Sequence, residues 1–251
     1  MNDLAPRTQK RGFRRIALGL LGGFCLALLL GLPHIPAVAQ INQAVIQEVV
    51  DGDEVFIEEQ QASVSDRAQF REKVRTEGQT RTSISFSNGA AGRLGQNASV
   101  IVGQCIEVES GQLLVSGPAN GCLSGFTVAV EGTIYVLEKD PDNPNSLGSL
   151  RTIEGEVQIN KPEEPGRPAV PISLAQGQKV SVAPTGELQR VEPIPAEEFA
   201  SILTGPLFEG YREPIPNQSR LQGVCRELYP TYNCTTAGVP VRRSEPVRGL
   251  W

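Results

Sequence analysis

The sequence predicts an all-β fold: a single domain of short antiparallel strands, arranged as a β-roll or short solenoid or as a sandwich, with a mostly irregular C-terminal tail. Three observations predict it. Apolar and polar residues alternate with a period of two, as in "TSISF" and "FTVAV", which places every second side chain on one face of a strand. Turn-forming glycine pairs recur every 15 to 25 residues. Between those turns no stretch carries the apolar spacing of an amphipathic helix.

Taken in order, "AVIQEVVDGDEVFI" from Ala44 to Ile57 reads as two short strands around an Asp51-Gly52-Asp53 turn. The acidic pair lacks the Asp-x-Asp-x-Asp-Gly loop and distal Glu of a calcium site, so no metal is expected there. Residues 40–70 therefore read as N-terminal strands and a polar lead-in, and the main β-domain as 71–190. Within it "TSISFSNGAAGRLG" puts Ile84 and Phe86 on one face and turns at Asn88-Gly89; "ASVIV" follows. "IEVESGQLLVSG" turns at Ser110-Gly111, and "FTVAVEGTIYVLE" is interrupted at Glu131-Gly132. "LRTIEGEVQI" turns at Glu154-Gly155 and "AVPISLAQGQKVSV" at Gln176-Gly177.

Two stretches rich in Asp, Asn, Pro, Gly and Ser, 138–149 and 160–169, read as surface loops at strand ends. After Ala183 the composition shifts. "PAEEFASILTG" predicts one short helix with Phe199, Ile202 and Leu203 on a common face, ended by Gly205-Pro206. The rest of 191–251 reads as a Pro-rich tail with too few periodic apolar residues for its own core; Tyr229, Tyr232 and Trp251 are its candidate aromatic anchors.

The first 39 residues have the order of a secretory signal: Arg7, Lys10, Arg11, Arg14 and Arg15, an apolar run from Ile16 to Leu32, then small residues at Ala37 and Ala39. Cleavage is expected after Ala39, which places the mature chain in the periplasm or outside the cell; a retained anchor is the alternative. Beyond residue 39 there are 18 Lys plus Arg against 27 Asp plus Glu, a net charge of −9, which excludes nucleic acid as a partner. The only histidine, His34, lies in the signal, so Ser-His-Asp, Cys-His and His-zinc chemistry are excluded from the mature chain and no catalytic residue or cofactor is expected.

Four cysteines remain: Cys105, Cys122, Cys225 and Cys234. In an oxidising compartment, an even count in two local pairs predicts disulfides Cys105–Cys122 and Cys225–Cys234. The intervening 16 and 8 residues do not match the close knuckles of a four-cysteine zinc site. The sequons at Asn97, Asn217 and Asn233 are read as accidental.

A series of steps along residues 74–182 resembles the FecR-domain family of bacterial envelope proteins. They are Arg75, Thr76 and Gly78; Phe86, Asn88 and Gly89; Leu94, Gly95, Asn97 and Ser99; a Gly132-Thr133 pair within a strand; Glu154, Gly155 and Val157; and Gly177, Gln178 and Val180. The resemblance implies a non-catalytic all-β module outside the cytoplasmic membrane. In the best-known members such a module contacts an outer-membrane transducer and relays a signal to a sigma factor. Only about fifteen residues precede the apolar run here, so no cytoplasmic sigma-binding domain is expected.

The functional expectation is an exported module that binds or senses another envelope component, a protein or a glycan, through strand edges or long loops. The alternatives are an assembly protein docking through its C-terminal tail, and a carboxylate-based glycan hydrolase using residues such as Asp51, Asp53, Glu131 or Glu154. The motif glycines are read as positions that need a positive φ or a close backbone approach.

Overall fold

The computed structural model describes residues 40–161, 171–232 and 234. The chain divides into Met1–Val38 and Ala39–Trp251, and every element below belongs to the second unit; the stretch expected to be a signal lies outside the described residues.

Seventeen strands follow one another among the described residues, most of them short because turn residues interrupt the apolar runs. They are β1 (Gln43–Val50), β2 (Val55–Ile57), β3 (Gln60–Gln61), β4 (Arg67–Gln69), β5 (Lys73–Thr76), β6 (Arg81–Phe86), β7 (Ala91–Leu94), β8 (Ser99–Ile101) and β9 (Cys105–Gly117). After them come β10 (Asn120–Leu123), β11 (Phe126–Val130), β12 (Thr133–Lys139), β13 (Gly148–Glu154), β14 (Glu156–Asn160), β15 (Ile172–Ala175), β16 (Gln178–Val182) and β17 (Glu192–Pro193). Two short α-helices follow among the described residues, α1 (Ala196–Thr204) and α2 (Leu221–Leu228).

All the strands are linked by hydrogen bonds, but they form two layers that share β9. Sheet A runs β4-β1-β6-β7-β9-β12-β13-β16-β17. Sheet B runs β3-β2-β5-β8-β9-β10-β11-β14-β15. The first half of β9 lies in sheet B and the second half in sheet A; every pairing is antiparallel except β9 with β10.

The layering explains the glycine turns. Most of them are corners, where the chain steps from one sheet to the other, and not hairpins. Asp51, Gly78, Asn97 and Gly111 mark the corners β1/β2, β5/β6, β7/β8 and mid-β9; Gly132, Gly155 and Gly177 mark β11/β12, β13/β14 and β15/β16. Each holds its φ between +49° and +85°, the region that lets an extended chain turn sharply. At Gly111 the requirement is doubled, because an added Cβ would lie 2.6 Å from the Cα of Ala98. The Gly132-Thr133 pair therefore sits at a corner, with Thr133 opening β12, and not inside a strand as the sequence suggested.

Register separates the corners into two groups. Lys139 of β12 pairs with Gly111 and Thr133 with Gly117, so the Gly132, Gly155 and Gly177 corners lie at the end of the sandwich opposite the Gly111 corner. The molecule is thus two sets of bent ribbons, one from β1 to β9 and one from β11 to β16, folded in opposite senses and joined at β9 and β10.

The core lies between the sheets. Ile46, Ile84, Phe86, Leu94, Leu113, Val115, Tyr135, Leu137, Leu150 and Val180 face inward from sheet A. They meet Val55, Val74, Val100, Ile106, Val108, Leu123, Phe126, Val128, Val157 and Leu174 from sheet B. The inward hydroxyl of Tyr135 donates to Ala119 O at 2.7 Å, so its burial leaves no orphaned donor, and the same burial pushes its pKa up.

Two expected boundaries change. Residues 40–70 are built into the sandwich, since β1 pairs with β6 and β2 with β5. Residues 194–229, expected to be mostly irregular tail, pack on the outer face of sheet A. Ile194, Phe199, Leu203, Leu207, Phe208, Ile215, Leu221 and Val224 form a second core with Leu114, Ile134, Val136 and Ile153. The physical reason is that the tail's apolar residues, too scattered to bury one another, are buried by the sheet.

Candidate binding surface

The two sheets present opposite outer faces. Sheet A is closed by the chain's own C-terminal strap, residues 194–229. Leu114, Ile134, Val136 and Ile153 point outward from its central strands and would be exposed without the strap. Two arginines on the same face hold it. Arg93 Nη1 donates to Leu207 O at 3.0 Å and Nη2 to Glu213 O at 2.7 Å, while the guanidinium lies 4.3 Å from the ring centre of Tyr211. Arg93 is 1% exposed, and burial lowers its pKa to about 10; its Nε–H has no acceptor among the described residues. Arg81 donates through Nε to Asp51 Oδ2 at 2.9 Å and through Nη1 to Glu209 O at 2.8 Å and to Pro206 O. From β1, Glu48 accepts the Arg212 N–H at 3.0 Å.

At the other side of the strap, Glu198 of α1 accepts from Arg151 Nε at 2.7 Å and Lys179 Nζ at 2.6 Å, and Arg151 also reaches Glu138 at 2.7 Å. Burial opposes ionisation of Glu198, but the hydrogen bonds from Lys179 and Arg151 outweigh it and hold its pKa below the ordinary value. The acidic first turn of α1, Glu197 and Glu198, also suits the positive end of its dipole.

Sheet B has no such cover among the described residues. Its outward side chains include Phe56, Lys73, Arg75, Ser99, Ile101, Glu107, Glu109, Thr127, Gln158 and Ser173, all half-buried or exposed. The charges are largely paired within the face: Lys73 Nζ lies 2.9 Å from Glu109, and Arg75 pairs with Glu77 and covers the Phe56 ring at 4.2 Å. Burial opposes ionisation of Glu109 too, yet Lys73 and Ser99 together hold its pKa below the ordinary value. The result is a flat, mixed-polarity surface.

The cysteines pair as expected. Cys105–Cys122 ties β9 to β10 on this outer face, with sulfurs 2.00 Å apart; Cys225–Cys234 fastens α2 to residue 234 within the second core, with sulfurs 2.04 Å apart.

The motif residues occupy fold-determining positions and form no common site. Thr76 closes a corner, donating to Gly95 O at 2.7 Å and accepting from Ala98 N at 3.0 Å. Gly89 closes the β6/β7 hairpin, donating to Phe86 O at 3.0 Å, and Asn88 Nδ2 donates to Pro118 O at 2.9 Å. Gly132, Thr133, Gly155 and Gly177 gather at the opposite corners, where Thr133 Oγ1 donates to Glu156 O at 3.0 Å and Gly177 N to Thr152 O at 2.8 Å. Arg75 and Ser99 reach the uncovered face. Of the loops, 140–147 is exposed apart from Ser146, and most of 160–169 lies outside the described residues, as does Trp251. Among the described residues no group of His, Cys, Asp and Glu is placed to hold a metal ion, and no helix is long and apolar enough to cross a membrane.

Sequence reasoning missed Arg81, Arg93 and Tyr211. The available signal lay in "QLLVSG" and "TIYVLE", where apolar residues run without alternation, as in strands buried on both faces.

Fold and surface together define the class: an all-β, disulfide-stapled, two-layer domain. No family model matches the chain, and no curated protein matches it. Two crystal structures of a candidate anti-sigma factor from Parabacteroides distasonis ATCC 8503 are similar to it at 15% identity, each covering 57% of this chain and 68% of that one, with TM-scores of 0.44 and 0.43.

Proposed function

We propose that this chain is an exported, non-catalytic FecR-like module that binds another cell-envelope component, a protein or a glycan, through the outer face of sheet B and its flanking edges. One observation carries the reading: the chain spends its own C-terminal strap on closing sheet A and leaves sheet B uncovered among the described residues. A folded domain with two disulfides suits an oxidising compartment, and the signal-like N-terminus supports export. The ordered motif steps from Arg75 to Val180 support the FecR-like part, and the lack of histidine beyond residue 39 supports the non-catalytic part.

The test is capture from envelope extracts by the tagged mature protein and by a Glu107→Arg/Gln158→Arg variant, both positions being exposed on sheet B. The reading expects one reproducible partner that the variant loses while its circular dichroism is unchanged. Equal capture by both proteins would place the contact elsewhere.

A further inference from the structure

The two sets of ribbons are joined unequally in the two sheets. In sheet A, β9 and β12 pair along seven residues, Gly111–Gly117 against Thr133–Lys139. In sheet B the join is the parallel pair β9/β10, only three residues long, Cys105–Glu107 against Asn120–Cys122. Parallel ladders are slightly weaker per residue than antiparallel ones, so the two sets of ribbons are held less firmly to each other in sheet B than in sheet A. Gly121 sits in the seam, with the Tyr135 hydroxyl 3.0 Å and a Leu137 methyl 2.6 Å from where a Cβ would be, so β10 contributes no side chain of its own there. The Cys105–Cys122 disulfide crosses the seam, and both its cysteines are half-buried on the uncovered face. Cys225 and Cys234 are by contrast 0% and 8% exposed beneath the strap.

We propose that Cys105–Cys122 is a redox latch on this seam, opened by a dithiol reductant to free the β9 and β10 edges for strand pairing with a partner. The inference rests on the binding role given to sheet B, and names the regulation of that surface. In the chemical step, a thiolate of the reductant attacks one sulfur of the latch and forms a mixed disulfide, releasing the other cysteine as a thiolate that takes up a proton. The second thiol of the reductant then displaces the remaining cysteine, so the reductant leaves as a disulfide and Cys105 and Cys122 end as thiols. The latch closes a loop of 17 residues. In a fully unfolded chain, cutting a loop of that size is worth about a hundredfold; residues 111–117 stay paired in sheet A, so local opening of the seam gains a smaller factor. A three-residue ladder is marginal against such a factor, whereas the seven-residue join in sheet A is not.

Two measurements test the latch. Hydrogen exchange of the oxidised wild type is compared with a Cys105→Ser/Cys122→Ser variant that keeps Cys225–Cys234. The latch predicts faster exchange, by up to about a hundredfold, at residues 105–108 and 120–123 and unchanged exchange at 113–116 and 134–137. Unchanged protection at the seam, or an equal loss in both sheets, would overturn it. Should the variant not fold, the folded wild type is titrated with dithiothreitol and trapped with a thiol alkylator for mass spectrometry. Cys105 and Cys122 are expected to be labelled well before Cys225 and Cys234; simultaneous or reversed labelling overturns the latch. Capture by the Cys105→Ser/Cys122→Ser variant no stronger than by the oxidised wild type would refute this inference alone, whereas equal capture by the Glu107→Arg/Gln158→Arg variant would refute the binding role of sheet B.

Discussion

Arg93→Ala is the sharpest test of how the strap is held. The wild-type guanidinium makes two charge-assisted hydrogen bonds to strap carbonyls, at 3.0 Å and 2.7 Å, and lies against Tyr211 at 4.3 Å. Hydrogen bonds to charged groups contribute about 1.5–3 kcal/mol each, and a desolvated cation–π contact about 2 kcal/mol. Against this stands the desolvation of a cation that bonds no carboxylate among the described residues, which offsets part of the gain. Removing the side chain also strands the carbonyls of Leu207 and Glu213 and leaves a cavity at a 1% exposed position. The net expectation is a loss of about 3–5 kcal/mol, which for a domain of this size lowers Tm by on the order of 10 °C. Arg93→Met keeps the apolar stem, removes the buried charge and is expected to cost less than the alanine. The assay is urea denaturation followed by circular dichroism, with hydrogen exchange at residues 205–215 reporting the strap. A loss below about 1 kcal/mol for the alanine, with strap protection intact, would show that Arg93 does not hold the strap.

Gly111→Ala is expected to destabilise by more than about 2 kcal/mol, because positive φ and contact with Ala98 both oppose a Cβ, whereas Gly89→Ala meets only the φ penalty of about 1–2 kcal/mol; thermal melts compare them. Ending the chain at Pro193 uncovers Leu114, Ile134, Val136 and Ile153, forfeiting about 1.5–3 kcal/mol of burial at each, a sum comparable to a whole domain's stability. That truncation is expected to aggregate, whereas ending at Cys234 is expected to stay folded; size-exclusion chromatography separates the outcomes. Glu198 and Glu109 have lowered folded-state pKa values, so the stability they contribute is fully present above their unfolded pKa of about 4.3 and is lost as pH falls through the lower folded values. The urea midpoint should therefore drop below about pH 4, and Glu198→Gln should reduce the slope of that drop.

The fold class was legible because period-two alternation and glycine punctuation are local signals. "TSISF" shows both faces of β6 in five letters, and the disulfide pairing followed from two well-separated cysteine pairs. The corners were not legible. Ser110-Gly111 and Glu154-Gly155 look like hairpin turns, and whether the strand beyond a glycine returns beside its neighbour or crosses to the other layer depends on pairings such as Lys139 with Gly111, far apart in sequence. The strap was illegible for a related reason. Phe199, Phe208, Ile215 and Leu221 share no period, and their burial is set by outward apolar residues on β9, β12 and β13. Arg81 and Arg93 alternate with inward residues, so nothing local in the sequence signals their burial, which the strap provides.

Sheet A is closed by the chain itself, and sheet B is the face proposed to meet a partner. Site-specific photocross-linking in intact cells tests it most directly, with the photoreactive residue placed at Glu107, Gln158 or Ser173 on sheet B and at Glu209 or Arg212 on the strap. The account predicts adducts to one envelope component from the sheet B positions and none from the strap. Adducts from the strap, with sheet B silent, would contradict it.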